Sequence, residues 1–534
     1  MPATRSRTKK RSTVPKGKKS AAPATVAPAA LFMAAVCGGV FGLSAPGFDQ
    51  WYLAWIALVP YLLLTVSSSG IKDAFLRGLV FGAAYNLVYL NWYIHLHPLA
   101  WLGYNEPESI ALAVAAWLIV SLHQALIVAI VTAAIRLLPL TGGFFPRVVE
   151  ERLCLPAPLV IPALWVLAEN KILNAPNFLG VPWPMIEYSQ YQVLPVIQIA
   201  SWIGGIGLGA LIVMFNTVLA SVIATVTARI SFKSLACHTS SSAVSQGLTV
   251  ALCVAGVVAW GYSRLNVPQY AADTVSVLQG SINIDMERTK HRYTLPELMD
   301  RYGTLLAKAP PGLCIWTESA LPAYLKNETQ LLSDLTRASK EAKHPMVVGS
   351  IDRDFDGRVY NSAFGIDSDG RLYNAVYHKR YLVPFGEYMP NFAHYLPEWV
   401  QRLTNTPAGA GFHAGQKPVV LDLDGQKIAP LICFETLSPE LCASSVRNGG
   451  NLLVNLSDLA WFHESMVGDQ MVAFSVMRAI ENARYFVFAA NTGPSAIIDS
   501  NGRIVHRSIP GKVVVLTGKV RYNSERTAFT QWFN

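Results

Sequence analysis

Long uncharged apolar runs occupy the chain between residues 25 and 263 and constrain its fold more than any other feature. A helix that spans the hydrocarbon core of a bilayer needs about 20 such residues. The runs predict a transmembrane domain of about seven helices, at roughly 25–45, 50–66, 74–96, 109–136, 156–169, 196–226 and 247–263. From residue 264 to 534 the composition is ordinary for a globular protein, so we predict a second domain there.

The overall composition agrees with a membrane protein. Hydrophobic residues make up 52% of the 534 residues and charged residues only 14%, whereas soluble domains carry about 25% charged residues. The net charge of +9 comes almost entirely from residues 1–24, which hold eight Lys or Arg residues and no acid. A basic tail before an apolar segment is typical of a cytoplasmic N-terminus near anionic lipid. No nucleic-acid-binding motif accompanies it, so we predict no nucleic-acid partner.

The charges between the predicted spans indicate the orientation. With the N-terminus inside, the inner loops carry the basic residues Lys72, Arg77, Arg136, Arg147, Arg152, Arg229 and Lys233. The outer loops carry only Lys171, in agreement with the positive-inside rule. Seven spans would then place residues 264–534 on the outer side, which is the periplasm of a Gram-negative cell. A cleaved signal peptide ending near LSAPG, residues 43–47, is the alternative to a retained first anchor.

Short apolar runs alternate with polar helical segments in the second domain. VSVLQG, LCIWTE, PMVVGS, NLLVNLSD and YFVFAAN are typical of strands. Residues 293–308, 327–343, 438–447 and 468–484 are typical of helices. Asp-Gly or Asn-Gly turns in GIDSDGRLY, VVLDLDGQKIA and IIDSNGRIV predict hairpins. The sequence therefore predicts an α/β domain with a strand-rich sheet.

Three reactive side chains follow predicted strands, where a rigid scaffold gives way to a loop. Glu318 follows LCIWT, Lys379 follows LYNAVYH and Cys433 follows IAPLI. Each has an ordinary alternative role: an acid at a helix start, a surface charge and a packed thiol. Together they make chemical sense, because a nucleophilic thiol needs a base or a cation near it. Glu318 can take the proton, and Lys379 with the backbone N–H of Phe434 can stabilise an oxyanion.

Four sequence blocks resemble the nitrilase superfamily. WTESALP at 316–322, YHKRYLVPFGEYMP at 377–390, ICFE at 432–435 and NLSDLAWF at 455–462 look like its Glu, Lys and Cys blocks. Glu387 in FGEY matches the second glutamate that supports the lysine in that superfamily. With several spans before them, these blocks are similar to the apolipoprotein N-acyltransferase family over essentially the whole chain after the basic tail.

The resemblance implies an αββα sandwich and an enzyme that completes bacterial lipoprotein maturation. Cys433 would first take an acyl chain from a phospholipid, typically phosphatidylethanolamine, as a thioester, with Glu318 passing the proton. The α-amine of a diacylglyceryl-cysteine, at the N-terminus of an apolipoprotein, would then receive the chain as an amide. No organic cofactor is implied, and the cysteine spacing predicts no metal site. We expect a monomer in the bacterial inner membrane, with its catalytic domain facing the periplasm.

Residues beside these blocks are candidates for further roles. Glu435 could tune the cysteine, bind the incoming amine or make a structural hydrogen bond, and Trp461 and Phe462 are candidates for substrate binding. The many aromatic residues in 381–400 and 459–462 are typical of loops that form lids over acyl chains. The alternative is that they form a hydrophobic core under a long loop.

The sequence departs from the family pattern in three places. It stops at Asn534 without the further span that is usual after the catalytic domain. Lys290 and His291 stand where a lysine-tryptophan pair is expected, and Asp469, Gln470 and Met471 stand where a Gln-His pair is frequent. These departures leave open a return anchor, a tryptophan gate and the substrate contacts near residue 469.

Two rival functions fit part of the pattern. A membrane-tethered nitrilase-type amidohydrolase would use the same three residues with water as the acceptor. A non-catalytic membrane scaffold would need none of them, and it has no physical reason to keep an acid, an amine and a thiol at three strand ends.

Replacing Cys433 with alanine separates an enzyme from a scaffold. We expect Cys433→Ala to abolish turnover, because the substitution removes the only proposed nucleophile, while the variant keeps its fold and its binding partners. An acyl-transfer assay on the purified membrane protein measures the loss. Undiminished acyl transfer by the variant would show that Cys433 takes no part in the reaction.

Overall fold

The computed structural model describes residues 27–100, 103–149, 151–172, 183–227, 240–283, 293–384, 386–389, 395 and 411–532. The predicted basic tail and the Lys290–His291 pair lie outside these residues. Helices dominate the chain up to residue 265, and two β-sheets with flanking helices follow.

Within the described residues, the first half is built from helices of very different lengths. They are α1 Pro28–Gly42, α2 Leu58–Val66, α3 Ile71–Tyr89, α4 Glu106–Leu137, α5 Ala157–Leu167, α6 Leu194–Ile197, α7 Ala200–Thr227 and α8 Ser240–Leu265. Three short strands, β1 Leu140–Thr141, β2 Arg147–Val149 and β3 Arg152–Pro156, connect α4 to α5. The start of α4 is set by a capping box, in which Asn105 and Glu108 satisfy each other's backbone N–H groups.

Each of the seven predicted spans overlaps one of these helices. Among the described residues, the helical stretches Glu106–Leu137, Ala200–Val226 and Val244–Leu265 are long and apolar enough to cross a membrane. The other overlapping helices are shorter or carry more charge, as α3 does with Asp73 and Arg77. The number of seven spans stays a prediction.

Two sheets form the second half. The first contains β4 Asp273–Gln279, β5 Leu313–Trp316, β6 Leu321–Tyr324, β7 Met346–Arg353, β8 Val359–Ile366, β9 Tyr377–His378 and β16 Val514–Val520. Its order is β16-β4-β5-β7-β8-β9, with β6 paired to β7. The second contains β10 Leu421–Leu423, β11 Gln426–Ile432, β12 Leu452–Ser457, β13 Phe486–Ala490, β14 Ala496–Ile498 and β15 Ile504–Arg507, in sequence order. The five strand predictions are confirmed, as are the hairpins β10–β11 and β14–β15.

The inner faces of the two sheets pack against each other, so the domain is a sandwich. Val277 and Ile315 of the first sheet share a buried cluster with Ile432 and Val454 of the second. Helices α9 Leu295–Leu306 and α10 Thr329–Ala342 cover the outer face of the first sheet. Helices α11 Pro439–Arg447 and α12 Val467–Asn482 cover the outer face of the second. These layers form the αββα arrangement that the resemblance implies.

Helix α12 connects the two halves of the molecule. Apart from Asp469, every residue from Val467 to Asn482 is buried. One face of this helix packs on the second sheet and the other packs on the membrane half, and both contacts belong to one continuous apolar cluster. A helix buried all round in this way is what a position between two packed layers requires.

A break in α7 provides a polar connection to α12. Gly204 interrupts α7 with φ 70° and ψ 173°, and Phe529 of the short helix α13, Ala528–Trp532, fills the space where a side chain at Gly204 would lie. The next residue, Gly205, donates its N–H to Oε1 of Glu481 at 2.8 Å. The same buried carboxylate pairs with Arg478, with Nε 3.0 Å from Oε2. Helix α7 is thereby fixed to α12 of the second half by a backbone hydrogen bond to a charged side chain.

Gly349 of β7 lies against the strand end that carries Glu318. A Cβ at Gly349 would lie 2.2 Å from the carbonyl oxygen of Thr317 and 3.0 Å from Cα of Glu318. We expect Gly349→Ala to displace this strand end and to lower the free energy of unfolding by about 1–3 kcal/mol. Thermal denaturation of the purified protein in detergent measures the change.

The matched control is Gly303→Ala in α9, where no heavy atom lies within 4 Å of the added Cβ. Alanine there is expected to raise stability by up to about 1 kcal/mol, since it favours the helix. Equal denaturation midpoints for the two variants would contradict the expected crowding at Gly349.

Candidate active site

The structure brings the three reactive side chains together at one end of the sandwich. Glu318 follows β5, Lys379 follows β9 and Cys433 follows β11. Nζ of Lys379 lies 3.3 Å from Oε1 of Glu318 and 2.8 Å from Oε1 of Glu387. The thiol of Cys433 is hydrogen-bonded to Glu318. One carboxylate therefore contacts both the thiol and the ammonium.

Lys379 is 1% exposed and carries its charge among carboxylates. Burial alone would lower the pKa of Lys379, but the negative charges of Glu318 and Glu387 outweigh it and raise the pKa above its usual range. The lysine is therefore a fixed cation at neutral pH and cannot serve as a base. A buried cation of this kind suits the stabilisation of negative charge that develops beside it.

Asn361 of β8 was not identified from the sequence and lies at the centre of this network. Its Nδ2 donates to Oε1 of Glu318 at 2.8 Å and to Oε1 of Glu387 at 3.0 Å. The other oxygens of these carboxylates accept backbone N–H groups, Oε2 of Glu318 from Asp458 and Oε2 of Glu387 from Val383, both at 2.8 Å. Both carboxylates are thus held at both oxygens, which fixes their orientation before any substrate binds.

Cys433 occupies a strained turn. It begins the 3-10 turn Cys433–Leu437 with φ 50°, a value that non-glycine residues seldom adopt. The carbonyl oxygen of Cys433 accepts a hydrogen bond from Nδ2 of Asn455 at 3.0 Å, which helps to hold the turn. A nucleophile on a sharp turn after a strand projects its side chain away from the sheet and toward an approaching substrate.

The thiol rests in its neutral form. Burial raises the pKa of Cys433 well above its usual range, the charge of Glu318 raises it further, and Lys379 only partly opposes the shift. The S–H group therefore donates to Glu318 in the resting state. A thiol placed in this way can form a thiolate by passing its proton to the carboxylate of Glu318.

Glu435 points into the scaffold. Its Oε2 accepts from the hydroxyl of Tyr377 at 2.6 Å and from the N–H of Ile432 at 2.7 Å. Its Oε1 accepts from the N–H groups of Arg380 at 2.6 Å and Tyr381 at 3.2 Å. Burial raises the pKa of Glu435, while these donors favour the ionised form and oppose the shift. The contacts favour the structural role among the three that the sequence left open, since they tie the nucleophile turn to the segment after Lys379.

Aromatic side chains from both halves line one side of the nucleophile turn. The ring of Phe434 lies 5.8 Å from that of Trp183, and the ring of Phe462 lies 5.0 Å from that of Trp92, measured between centroids. Trp461 is 38% exposed. Trp92 and Trp183 come from the membrane half, so the surface beside Cys433 is built jointly by the two halves.

Gln470 of α12, one of the residues that depart from the family pattern, strengthens this joint surface. Its Oε1 accepts from Nε1 of Trp183, and its Nε2 donates to the carbonyl oxygen of Tyr89 at 3.1 Å. Gln470 is fully buried. In this chain Gln470 therefore connects α12 to the membrane half.

The arrangement can carry out nucleophilic chemistry on an acyl group. It contains a thiol, a carboxylate base bonded to that thiol and a permanent cation beside the base. Among the described residues no group of three or more His, Cys, Asp or Glu side chains could hold a metal ion. A thiol, a carboxylate and an ammonium in contact can together carry out proton transfer, charge stabilisation and covalent attack.

Comparison with known families divides the chain in the same way. Residues 37–218 match the family model of the apolipoprotein N-acyltransferase N-terminal domain, and residues 278–527 match that of carbon-nitrogen hydrolases. The chain is 34% identical over 508 residues to an apolipoprotein N-acyltransferase of Geobacter metallireducens, which covers 94% of this chain and 91% of that protein. An apolipoprotein N-acyltransferase of Nitrosomonas europaea is 30% identical and 86% of each chain is covered.

Solved structures similar to the second half include two enzymes. A carbon-nitrogen hydrolase from Helicobacter pylori is 14% identical with a TM-score of 0.35, and the match covers 46% of this chain and 88% of that one. An amidase from Nesterenkonia is 16% identical with a TM-score of 0.36, and the match covers 50% of this chain and 95% of that one.

The four donors around Glu435 give a prediction for its replacement. In Glu435→Gln, the NH₂ group of the new side chain would face hydrogen-bond donors. Buried N–H or O–H groups would then be left without an acceptor. We expect the free energy of unfolding to fall by about 1–3 kcal/mol and the reactivity of Cys433 to fall with it. The matched control is Glu440→Gln, because the carboxylate of Glu440 accepts one hydrogen bond, from Ser438. Thermal denaturation compares the two variants, and an equal effect would argue against the proposed anchoring role.

Proposed function

This chain belongs to the apolipoprotein N-acyltransferase family and its function is lipoprotein N-acylation, and we propose that it performs the reaction through an acyl thioester on Cys433. One observation carries the proposal: Glu318 contacts both the Cys433 thiol and the buried ammonium of Lys379. A base on the thiol and a cation beside it are what a neutral thiol needs in order to attack an ester.

In the first step the sulfur of Cys433 attacks the ester carbonyl carbon of a phospholipid while Glu318 takes the thiol proton. The C–S bond forms, and Lys379 together with the N–H of Phe434 stabilises the negative charge on the carbonyl oxygen. The C–O bond then breaks, and Glu318 gives its proton to the departing oxygen. A lysophospholipid leaves, and a thioester remains beside an ionised Glu318.

In the second step the α-amine of a diacylglyceryl-cysteine attacks the thioester. The C–N bond forms, Glu318 takes a proton from the nitrogen, and the same donors stabilise the oxyanion. The C–S bond then breaks, and the proton on Glu318 returns to the sulfur of Cys433. The products are an N-acylated lipoprotein and the free thiol. Glu387 and Asn361 keep Lys379 and Glu318 in position through both steps.

Phosphatidylethanolamine is the proposed acyl donor, and the N-terminus of a diacylglyceryl apolipoprotein is the proposed acceptor. The aromatic surface next to Cys433, formed by Trp92, Trp183 and Phe462, supports a donor with long acyl chains. Trp461 and Phe462 are the proposed substrate contacts, since they follow the strand end that contacts Glu318. A small soluble amide would gain nothing from such a surface.

The chain is a membrane protein, and the proposal places it in the bacterial inner membrane as a monomer. Residues 1–24 would lie in the cytoplasm, residues 25–263 would form about seven spans, and the catalytic domain of residues 264–534 would face the periplasm. The excess of Lys and Arg in the predicted inner loops supports this orientation.

Lys379→Met tests the proposed chemistry. We expect the rate of thioester formation to fall at least 100-fold, because a preorganised charge at the developing oxyanion typically contributes that much. Intact-mass spectrometry of the protein incubated with phosphatidylethanolamine alone measures the acyl adduct, with Cys433→Ser marking the site of attachment. Lys326→Met is the matched control, since Lys326 is half exposed, pairs with Asp352 at 3.1 Å and lies over the ring of Phe364.

The outcomes separate the rival functions. An adduct on the wild type that a diacylglyceryl peptide removes supports the transferase. Fatty acid released into water without an adduct would instead favour the amidohydrolase mechanism. If the acyl adduct formed at the wild-type rate in Lys379→Met, the lysine would have no part in the reaction.

A further inference from the structure

Asp458 is a carboxylate beside the site that the two-step reaction above leaves without a role. It follows β12, and its own backbone N–H donates to Oε2 of Glu318 at 2.8 Å. Its Oδ1 accepts from the N–H of Ala460 at 3.0 Å and from Nδ2 of Asn491 at 3.1 Å. Among the described residues nothing donates to Oδ2, and the residue is partly exposed.

The side chain of Asp458 is held in a fixed orientation. The amide of Asn491 is itself locked, because Nδ2 donates to the carbonyl oxygen of Ile282 at 2.8 Å and Oδ1 accepts the N–H of Ile282 at 2.9 Å. Both fixed donors reach Oδ1 of Asp458. The free oxygen is therefore presented on a rigid support next to the catalytic base, as a proton-accepting group needs to be.

The proton balance of the second step requires one more acceptor. An α-amino group has a pKa of about 7.7–8.0, so it arrives at neutral pH mainly as an ammonium ion. It must lose one proton before it can attack and a second as the amide forms. The second proton reaches Glu318 and ends on the sulfur of Cys433. The first needs a different acceptor, because Glu318 can hold only one proton at a time.

We propose that the carboxylate of Asp458 binds the α-ammonium of the incoming diacylglyceryl-cysteine and takes its first proton. This inference rests on the proposed function, because it assigns a role within the second step. The N–H bond breaks toward Oδ2, and the free amine attacks the thioester carbonyl carbon. When the thiol has reformed, Asp458 releases its proton to solvent. The net reaction of ammonium and thioester thus gives amide, thiol and one proton.

The surroundings of Asp458 suit this role. The titratable groups that face it among the described residues are Glu318 from β5 and the hydroxyl of Tyr302 from α9. Burial raises the pKa of Asp458 to about 7, and the charge of Glu318 adds to the shift. A carboxyl with such a pKa is partly ionised at neutral pH and can both accept a proton from an ammonium and release it again.

Asp458→Asn tests the inference on full-length protein that has first been acylated with phosphatidylethanolamine. Transfer of the acyl chain to a synthetic diacylglyceryl peptide is followed by loss of the adduct mass as a function of pH. In the wild type the rate is expected to rise with pH through about 7, as Asp458 ionises. In Asp458→Asn the rate at pH 7 should fall at least tenfold, and the midpoint should move up toward about 8, where the amine loses its own proton.

Two readouts distinguish proton acceptance from a merely structural role. Formation of the thioester should proceed at the wild-type rate in Asp458→Asn, because no ammonium has to lose a proton in that step. Hydroxylamine is uncharged at neutral pH, so it should remove the acyl chain from the variant as fast as from the wild type. Asp499→Asn is the matched control, since Asp499 also accepts backbone N–H groups but lies in the β14–β15 turn. In this variant the rates of thioester formation, peptide transfer and hydroxylamine reaction should all stay unchanged.

The inference would be overturned by an unshifted pH profile in Asp458→Asn. It would equally be overturned if thioester formation, the peptide reaction and the hydroxylamine reaction slowed by the same factor, since that pattern indicates a structural role. Absence of any adduct on the wild type would instead contradict the proposed function itself, so the two failures are distinguishable.

Discussion

The contact on which the site depends is the burial of one lysine ammonium between two carboxylates. Moving a charge from water into a protein interior costs several kcal/mol unless opposite charges and hydrogen bonds surround it. Lys379 meets that requirement only because Glu318 and Glu387 lie within 3.3 and 2.8 Å of its Nζ. Two negative charges then lie close together, and Asn361 donates to both of them. Removing Lys379 would leave the two carboxylates close together without a cation between them.

This network constrains the sandwich around it. Glu318 follows β5 in the first sheet, whereas Cys433 follows β11 in the second. The two side chains therefore meet only when the two sheets pack in register. The strained turn at Cys433 adds a cost of its own. Glu435 offsets that cost by accepting hydrogen bonds from both sides of the turn region, including Ile432 and Tyr377. The position of the sulfur is therefore set by both sheets and by the turn between β11 and α11.

The sequence indicated the strands, most helices and the three reactive residues, because each of these is encoded locally by apolar runs, turn residues and a polar residue at a strand end. Asn361 and Asp458 were not identified as functional residues. Asn361 lies inside β8, and only the pairing of β8 with β9 brings it beside Lys379. Asp458 donates to Glu318 although the two residues are 140 positions apart in the sequence. Contacts of this kind depend on topology, which single-residue patterns do not encode. The same limit applies to Gln470, whose partners belong to the membrane half.

The position of α12 explains how a nitrilase-type sandwich can act on a lipid. In a sandwich that stands alone in water, the outer helices would expose one face to solvent. Here the outer face of α12 is buried against membrane helices, and the buried pair Arg478–Glu481 and the N–H of Gly205 fix the contact. Because Trp183 of the membrane half also contacts Phe434, the neighbour of Cys433, the turn that carries Cys433 is fixed relative to the membrane half. The membrane half thus supplies part of the surface beside Cys433 through Trp92 and Trp183, while the three candidate catalytic residues all belong to the sandwich.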